Sequence, residues 1–293
     1  MQRATIATIH DFEGQEVELC GWQFNRRGSK KIYFMQMRDG SGFMQCVLAR
    51  EAVDEALFDQ VRKLPLESAV KVRGLVVADE RSKRGFELQV TGVDVVHVGE
   101  EYPIGKKDHG PEFLMNNRHL WLRSRRQHVV LRVRHTLVKA IRDYFDDNAF
   151  LLMDSPILTG NACEGTSTLF ETPYFGETAY LSQSGQLYQE AAAMAFGKTY
   201  CFGPTFRAEK SSTRRHLTEF WMVEPEVAYA DNDANMDLAE DFLCHVVARV
   251  LDKHAEELET VLERDLSALK KVQKPFPRIS YCEAVEHVAR LRE

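Results

Sequence analysis

The 293 residues contain no run of 18 apolar side chains, so no membrane-spanning helix is expected. The N-terminus lacks the apolar segment of a secretion signal. Six cysteines, at positions 20, 46, 163, 201, 244 and 282, include no C-x-x-C pair. That spacing disfavours zinc and fits scattered reduced thiols in a cytosolic protein. No internal repeat or low-complexity tract is present. The net charge of −6 argues against a chain that coats nucleic acid non-specifically, but it allows a local basic surface. What is present, 44% hydrophobic and 28% charged residues, is enough for one or two ordinary cores.

Residues 1–98 read as all-β apart from one helix. Strands are expected at 17–22 and 31–37. A turn signal, Asp39-Gly40-Ser41-Gly42, leads to a return strand at 43–48. A short amphipathic helix at 51–63 precedes strands at 69–77 and 86–98. Five strands with a helix between the third and fourth is the layout of an OB-fold barrel, and an SH3-like barrel would also accommodate it. Residues 99–124 carry linker signals (Tyr102-Pro103, His109-Gly110-Pro111) and the start of an arginine cluster at 118, 123, 125 and 126. Beyond them, apolar residues at 130, 133, 137, 141, 144 and 145 have helical spacing over 129–147, with Ser124 as a candidate N-cap. Segment 150–158 reads as a strand interrupted by Pro156, which suits an edge or interface position. Further elements are expected at 180–183 (strand), 186–196 (helix), 199–202 (strand), 237–262 (helix) and 281–293 (helix). The fold class is therefore α+β, with a barrel at 1–98, a hinge at 99–124 and a second domain at 125–293.

The most informative stretch is Phe206-Arg207-Ala208-Glu209, a basic loop, and then Arg214-Arg215-His216-Leu217-Thr218-Glu219-Phe220-Trp221-Met222-Val223-Glu224-Pro225-Glu226. It reads as strand, loop, strand. Arg207 and Glu209 share a face, as do Phe220, Glu224 and Glu226, because residues two apart point the same way. A strand arginine is commonly a salt-bridge partner and a strand phenylalanine is commonly core. Here the cations Lys210, Arg214, Arg215 and His216 gather at one end of two strands, as a triphosphate would require. The bland alternative is a solvated charged hairpin.

These residues resemble motif 2 of the class II aminoacyl-tRNA synthetases, in the subgroup that handles aspartate, asparagine and lysine. The preceding helix and Pro156 are similar to motif 1, which forms the homodimer interface in that class. The barrel is similar to the subgroup's anticodon-binding domain. The resemblance thus spans essentially the whole chain, and it implies a partial antiparallel-sheet catalytic domain after the OB-fold. It also implies ATP, with Mg2+, as the nucleotide bound. Arg207 would meet the α-phosphate, Glu209 the adenine amino group and Phe220 the adenine ring, with Arg215 and His216 near the outer phosphates. Activation is attack by a carboxylate, already a nucleophile, on the α-phosphorus. It needs positioning and charge neutralisation rather than a general base.

For the amino acid, the resemblance implicates Glu164 on the α-ammonium, and Gln186, Gln189 and Glu224. The subgroup's aspartate enzymes carry a lysine where Gln189 stands. A neutral glutamine there, with Glu224 as an acceptor for a side-chain amide, favours asparagine over aspartate by a repelled charge, on the order of several kcal/mol. Lysine is disfavoured because no deep anionic cluster extends beyond Glu224 and Glu226. In the barrel, Phe34 and Gln45 match positions that stack on and bond to the central anticodon uridine, and Arg26, Arg27, Lys30 and Lys31 offer phosphate contacts, implying tRNA(Asn) as partner. Phe34 could equally be core. Residues 1–98 hold 14 Lys/Arg against 14 Asp/Glu, so only local clustering of the cations would support RNA binding.

The third class II motif is missing from these residues. The acids that hold magnesium in the family would lie with it, so no metal ligands are expected here. The expectation is an N-terminal part of a longer enzyme, lacking full activity. A non-catalytic RNA-binding paralogue is a second reading. A small-molecule asparagine synthetase on the same catalytic fold is a third, and the barrel counts against it.

Overall fold

The computed structural model describes every residue except Met1, Lys83, Lys106, 162–168, Ser211, Ser212, Arg214, Arg292 and Glu293. The chain divides into two compact units, Met1–Trp121 and Leu122–Glu293.

The first unit is a closed five-stranded barrel. Strand β1 (Gln2–Arg3) lies parallel to β2 (Glu16–Gly28), and a 3-10 helix, Ile6–Phe12, separates the two. Strands β3 (Ile32–Arg38) and β4 (Phe43–Ala49) form the expected hairpin. Helix α1 (Glu55–Lys63) follows, then β5 (Ala69–Ala78) and β6 (Phe86–His97). The barrel closes through β2–β3, β3–β4, β4–β6, β6–β5 and β5–β2, with only β4–β6 parallel. Alternation drives this arrangement. In β3, Tyr33, Met35 and Met37 turn inward, while Phe34 and Gln36 between them are half-buried on the outer face.

The helix begins at Glu55 rather than 51. The Asp54 carboxylate accepts the Leu57 N–H at 2.9 Å and so sets the start, while residues 50–52 form a 3-10 turn. Residues 99–121 are more than a linker. They form α2 (Pro111–Asn116) and α3 (Arg118–Trp121), and the Tyr102 hydroxyl donates to the Leu120 carbonyl at 2.8 Å.

In the second unit, α4 (Arg125–Asp147) starts at Ser124, whose hydroxyl accepts the Gln127 N–H. Its buried stripe is Val129, Thr136, Ala140, Ile141, Tyr144 and Phe145. Val130 and Leu137, counted above with the apolar face, are exposed instead. The expected strand 150–158 is two short ones, β7 (Leu151–Leu152) and β8 (Leu158–Thr159), in different sheets. Pro156 between them has no N–H to donate to a ladder, which accounts for the break. Strand β8 pairs with β10 (Glu177–Leu181), and β10 with β9 (Glu171–Tyr174), a hairpin absent from the sequence reading. Helix α5 (Gln186–Phe196) leads to β11 (Lys198–Phe206), β12 (Glu219–Val227) and the long helix α6 (Asn232–Thr260). Two short helices, α7 (Ser267–Lys270) and α8 (Tyr281–Arg290), complete the order.

Strand β11 lies between antiparallel β12 and parallel β7. Helices α4 and α6 cover one face, with Phe145 stacked on Tyr200 at 4.6 Å and Phe150, Phe202 and Val246 around them. The helices are also joined by polar groups: Thr136 Oγ1 lies 2.8 Å from His254 Nε2, His254 Nδ1 lies 3.0 Å from Glu257, and Arg132 pairs with Glu257 at 2.6 Å. This chain of contacts satisfies a buried histidine between two helices. No described helix is long and apolar enough to cross a membrane.

Candidate functional site

The β11–β12 pair runs in unbroken register from Lys198↔Val227 to Phe206↔Glu219. The ladder continues one step further, since the Arg207 N–H donates to the Thr218 carbonyl at 2.9 Å. Arg207 and Glu209 therefore sit just past the end of β11, not within it. Arg207, Glu209, Arg215, His216, Leu217, Thr218 and Phe220 line one cavity of about 460 Å³. All five residues expected to meet a nucleotide are thus brought together. Arg207 and Phe220 are half-buried, whereas Glu209, Arg215 and His216 are exposed. In the loop, Thr213 Oγ1 bonds His216 Nδ1 and accepts the Arg215 N–H. Two cations, an acid and an aromatic face around one hollow suit a polyphosphate joined to a flat base.

The second group of expected residues lies around the turn that enters α5. The Ser182 N–H donates to the Ile157 carbonyl at 2.8 Å, and the Phe206 N–H donates to the Ser182 carbonyl at 2.9 Å, so the turn is held beside the end of β11. The Glu224 carboxylate accepts from the Ser184 hydroxyl, from the Gly185 N–H at 3.0 Å and from Cys201 Sγ at 3.4 Å. A carboxylate on the N–H of the residue that caps the start of a helix is favoured by both hydrogen bonding and the helix dipole. Gly185 is required there. A Cβ at that position would stand 2.5 Å from Cys201 Sγ and 2.6 Å from Ser155 Oγ.

Glu224 lines a separate hollow of about 320 Å³ with Ser182, Gly185, Ser155, Cys201 and Trp221, rather than the cavity around Arg207. Gln186 is exposed and donates to Glu190 at 2.9 Å. Gln189 is 1% exposed and lines neither hollow. Its amide donates to the Met153 carbonyl at 2.7 Å and to Ser155 Oγ at 3.3 Å. The amide nitrogen thus ties α5 to the segment 153–155, while the amide oxygen is buried with no hydrogen-bond partner among the described residues. Glu164 lies outside the described residues. Burial, with the charges of Glu190 and Glu224, pushes the Glu226 carboxyl above its ordinary range. Burial first, then Glu224, pushes the Cys201 thiol up to about 12, so it is an inert buried group.

On the barrel, Asn25, Arg26, Arg27, Phe34, Gln36 and Gln45 line a pocket of about 290 Å³. The Arg27 guanidinium lies 5.2 Å from the centre of the Phe34 ring and donates to Gln45 Oε1 at 3.0 Å. Gln45 Nε2 donates to Glu87 at 3.2 Å. Arg26 turns its guanidinium onto the Arg62 and Leu64 carbonyls, at 2.7 and 2.6 Å, where it closes the C-terminal turn of α1. This differs from the expected free phosphate contact. Lys30 and Lys31 are exposed in the β2–β3 loop. Asn25 and Gln36 were missed in the sequence, although both lie two residues from a named member of the same outer face.

Among the described residues, no group of three or more His, Cys, Asp or Glu side chains is placed to hold a metal ion.

Two family models match. The one described as tRNA synthetases class II (D, K and N) covers residues 110–292, and the one described as OB-fold nucleic acid binding domain covers 17–96. The asparagine–tRNA ligase of Sorangium cellulosum is 58% identical over 93% of this chain, and that of Koribacter versatilis 54% over 98%. The chain spans 61% and 66% of those two relatives' own lengths. A crystal structure of asparaginyl-tRNA synthetase from Pyrococcus horikoshii, complexed with asparaginyl-adenylate, superposes with a TM-score of 0.93 at 38% identity, covering 99% of this chain and 68% of that one. A putative aspartyl-tRNA synthetase from Leishmania major shares the fold at 23% identity and a TM-score of 0.78. With its OB-fold barrel and its class II sheet, the chain belongs to the class II tRNA synthetases of the D, K and N group.

Proposed function

We propose that the chain serves asparagine–tRNA ligation: ATP-dependent activation of asparagine, then transfer of the acyl group to tRNA(Asn). The observation that carries this reading is the single cavity that gathers Arg207, Glu209, Arg215, His216 and Phe220. In it Phe220 supports the adenine, Glu209 accepts from its amino group, and Arg207 neutralises charge on the α-phosphate as the asparagine carboxylate attacks and pyrophosphate leaves. Arg215 and His216 hold the outer phosphates. The reaction needs no base, and a fixed guanidinium supplies the charge stabilisation that develops at phosphorus.

Asparagine rather than aspartate is favoured by Glu224 and Gln189. Glu224 places a carboxylate where a substrate carboxylate would be repelled and an amide accepted. Neutral Gln189 supplies no cation to the segment 153–155 that it bonds. The amide-to-carbonyl bond from Gln189 to Met153 supports a structural route for that effect. The identity to asparagine–tRNA ligases supports the same choice. The barrel pocket around Phe34 takes the anticodon, and Glu164 takes the substrate ammonium.

A homodimer through the motif 1 region is supported by the exposed apolar residues Val130, Leu131, Leu137, Ile157 and Leu158, which a monomer would leave in water. Scattered cysteines, unpaired at each described position, suit the cytoplasm.

The test is amino-acid-dependent exchange of pyrophosphate into ATP. It is run on this chain and on the chain completed with the part of the Sorangium cellulosum relative that it does not cover. Exchange with asparagine, and not with aspartate or lysine, is expected for the completed chain, with little for the chain alone. Exchange driven by aspartate in preference to asparagine would sink the reading.

A further inference from the structure

On the outer face of the barrel, two cross-strand rows lie side by side. One is Arg27–Phe34–Val47 and the next is Asn25–Gln36–Gln45, each set by direct register between β2, β3 and β4. The rows are two residues apart along β3, about 7 Å, or roughly twice the 3.4 Å thickness of a stacked base. The first row offers an aromatic face with a guanidinium beside it. The second is made entirely of amides.

The three amides are not equivalent. Gln45 is committed at both ends: its oxygen accepts from Arg27 at 3.0 Å and its nitrogen donates to Glu87 at 3.2 Å. Only one orientation satisfies both partners, because a guanidinium can only donate and a carboxylate can only accept. Asn25 is committed at its oxygen, which accepts the Arg26 N–H at 2.8 Å. Gln36 lines the same pocket, is half-buried, and has no side-chain hydrogen bond to any described residue. A half-buried amide with an open donor and an open acceptor is the group that gains most from a ligand edge carrying one of each.

We propose that Gln36 is a specificity-determining residue that reads the hydrogen-bonding edge of an unpaired nucleobase adjacent to the one stacked on Phe34. This rests on the anticodon reading of the barrel pocket and goes beyond it by assigning a second base and its reader. Phe34 and Arg27 supply affinity that any base can use, since every base has a stacking face. Gln36 supplies the part that depends on which base is present, and the chain Arg27–Gln45–Glu87 keeps the neighbouring amide fixed. Affinity and sequence preference are thereby divided between two residues two positions apart.

The experiment uses the chain as it stands and a hairpin RNA of the asparagine anticodon arm, with single swaps at each of the three anticodon positions. Binding is measured for the unaltered protein, Gln36→Ala, Gln36→Glu and Phe34→Ala. Gln36→Glu keeps the size and the acceptor but removes the donors, so it reports the bond without opening a gap. The expected result is roughly tenfold weaker binding of the matched hairpin by both Gln36 variants, with the penalty for swapping one flanking base almost abolished. Phe34→Ala should weaken all hairpins alike. Unchanged discrimination at every position in both Gln36 variants would overturn the proposal. So would loss of discrimination confined to the base stacked on Phe34, which would make Gln36 a buttress of Gln45. If the unaltered protein fails to distinguish the matched hairpin from a scrambled loop, the anticodon reading itself falls.

Discussion

Glu224 shows how much one carboxylate can organise. It accepts the Ser184 hydroxyl and the Gly185 N–H, so it fixes the entry of α5, and it borders the hollow that contains Ser182. Its type and its face on β12 were legible from the two-residue alternation. Its partners were not, because they lie 39 and 40 positions away and depend on how the turn docks. Glu226, on the same face, carries a testable consequence. Its carboxyl is held above the ordinary range by burial, then by Glu190 and Glu224. The folded state therefore binds that proton more tightly than the unfolded chain, so the contribution of this one group to stability is fully present at low pH. It falls as pH rises from the unfolded value, about 4.3, through the folded one. Glu226→Gln should raise the thermal midpoint at pH 7, and the gap should close below about pH 4. A gap that persists unchanged at pH 3.5 would show that the charge of Glu226 is not its cause.

At the scale of elements, the strand pair β11–β12 and the turn into α5 act as one unit. The turn is pinned by Phe206 N–H to Ser182, by Ser182 N–H to Ile157 and by Glu224 to Gly185. Gly185 has φ −86°, so its backbone would tolerate any residue; the constraint is space. Gly185→Ala should cost roughly 1–3 kcal/mol in urea unfolding, because its Cβ would collide with Cys201 and Ser155. Equal midpoints would show that the turn shifts freely.

Helix α5 was readable to the residue, since its apolar spacing and the following Gly197 both mark it. The strand expected at 150–158 was not. Apolar content suggested one element, while Pro156 divides it between two sheets. The β9–β10 hairpin escaped for a related reason. Its turn places Phe175 at φ 46° and Gly176 at 93°, and a phenylalanine is a poor signal for a left-handed position. Helix α4 was found with its cap, but its face was rotated. Thr136 and Ala140 lie inward, with Thr136 bonded to His254, while Val130 and Leu137 face out. Composition alone does not register a polar side chain satisfied inside a helix pair.

At the scale of the molecule, the two units carry separate pockets of different lining. The barrel closes on a core of alternating inward residues and leaves its outer face for a pocket with an aromatic ring, a guanidinium and three amides. The second unit packs α4 and α6 on one side of β11 and carries the charged loop at the end of the strands. The barrel strands and helices α4, α5 and α6 followed from alternation, helical spacing and turn residues in the sequence, whereas α2, α3 and the β9–β10 hairpin did not. The division of labour within each site did not, because it depends on which polar groups the fold has already satisfied. Arg26 is spent on the end of α1 and Gln45 on Arg27 and Glu87, while Gln189 has its nitrogen on Met153 and its oxygen unpartnered among the described residues.

The central claim is that Arg207 and Phe220 form one wall of an ATP site. The most direct measurement is calorimetric titration of ATP into the unaltered chain, Arg207→Ala and Phe220→Ala, each first shown to be folded. The account predicts saturable binding by the unaltered chain, weakened about tenfold or more in each variant. Equal affinity in all three proteins, or no ATP binding by the unaltered chain at millimolar concentration, would contradict it.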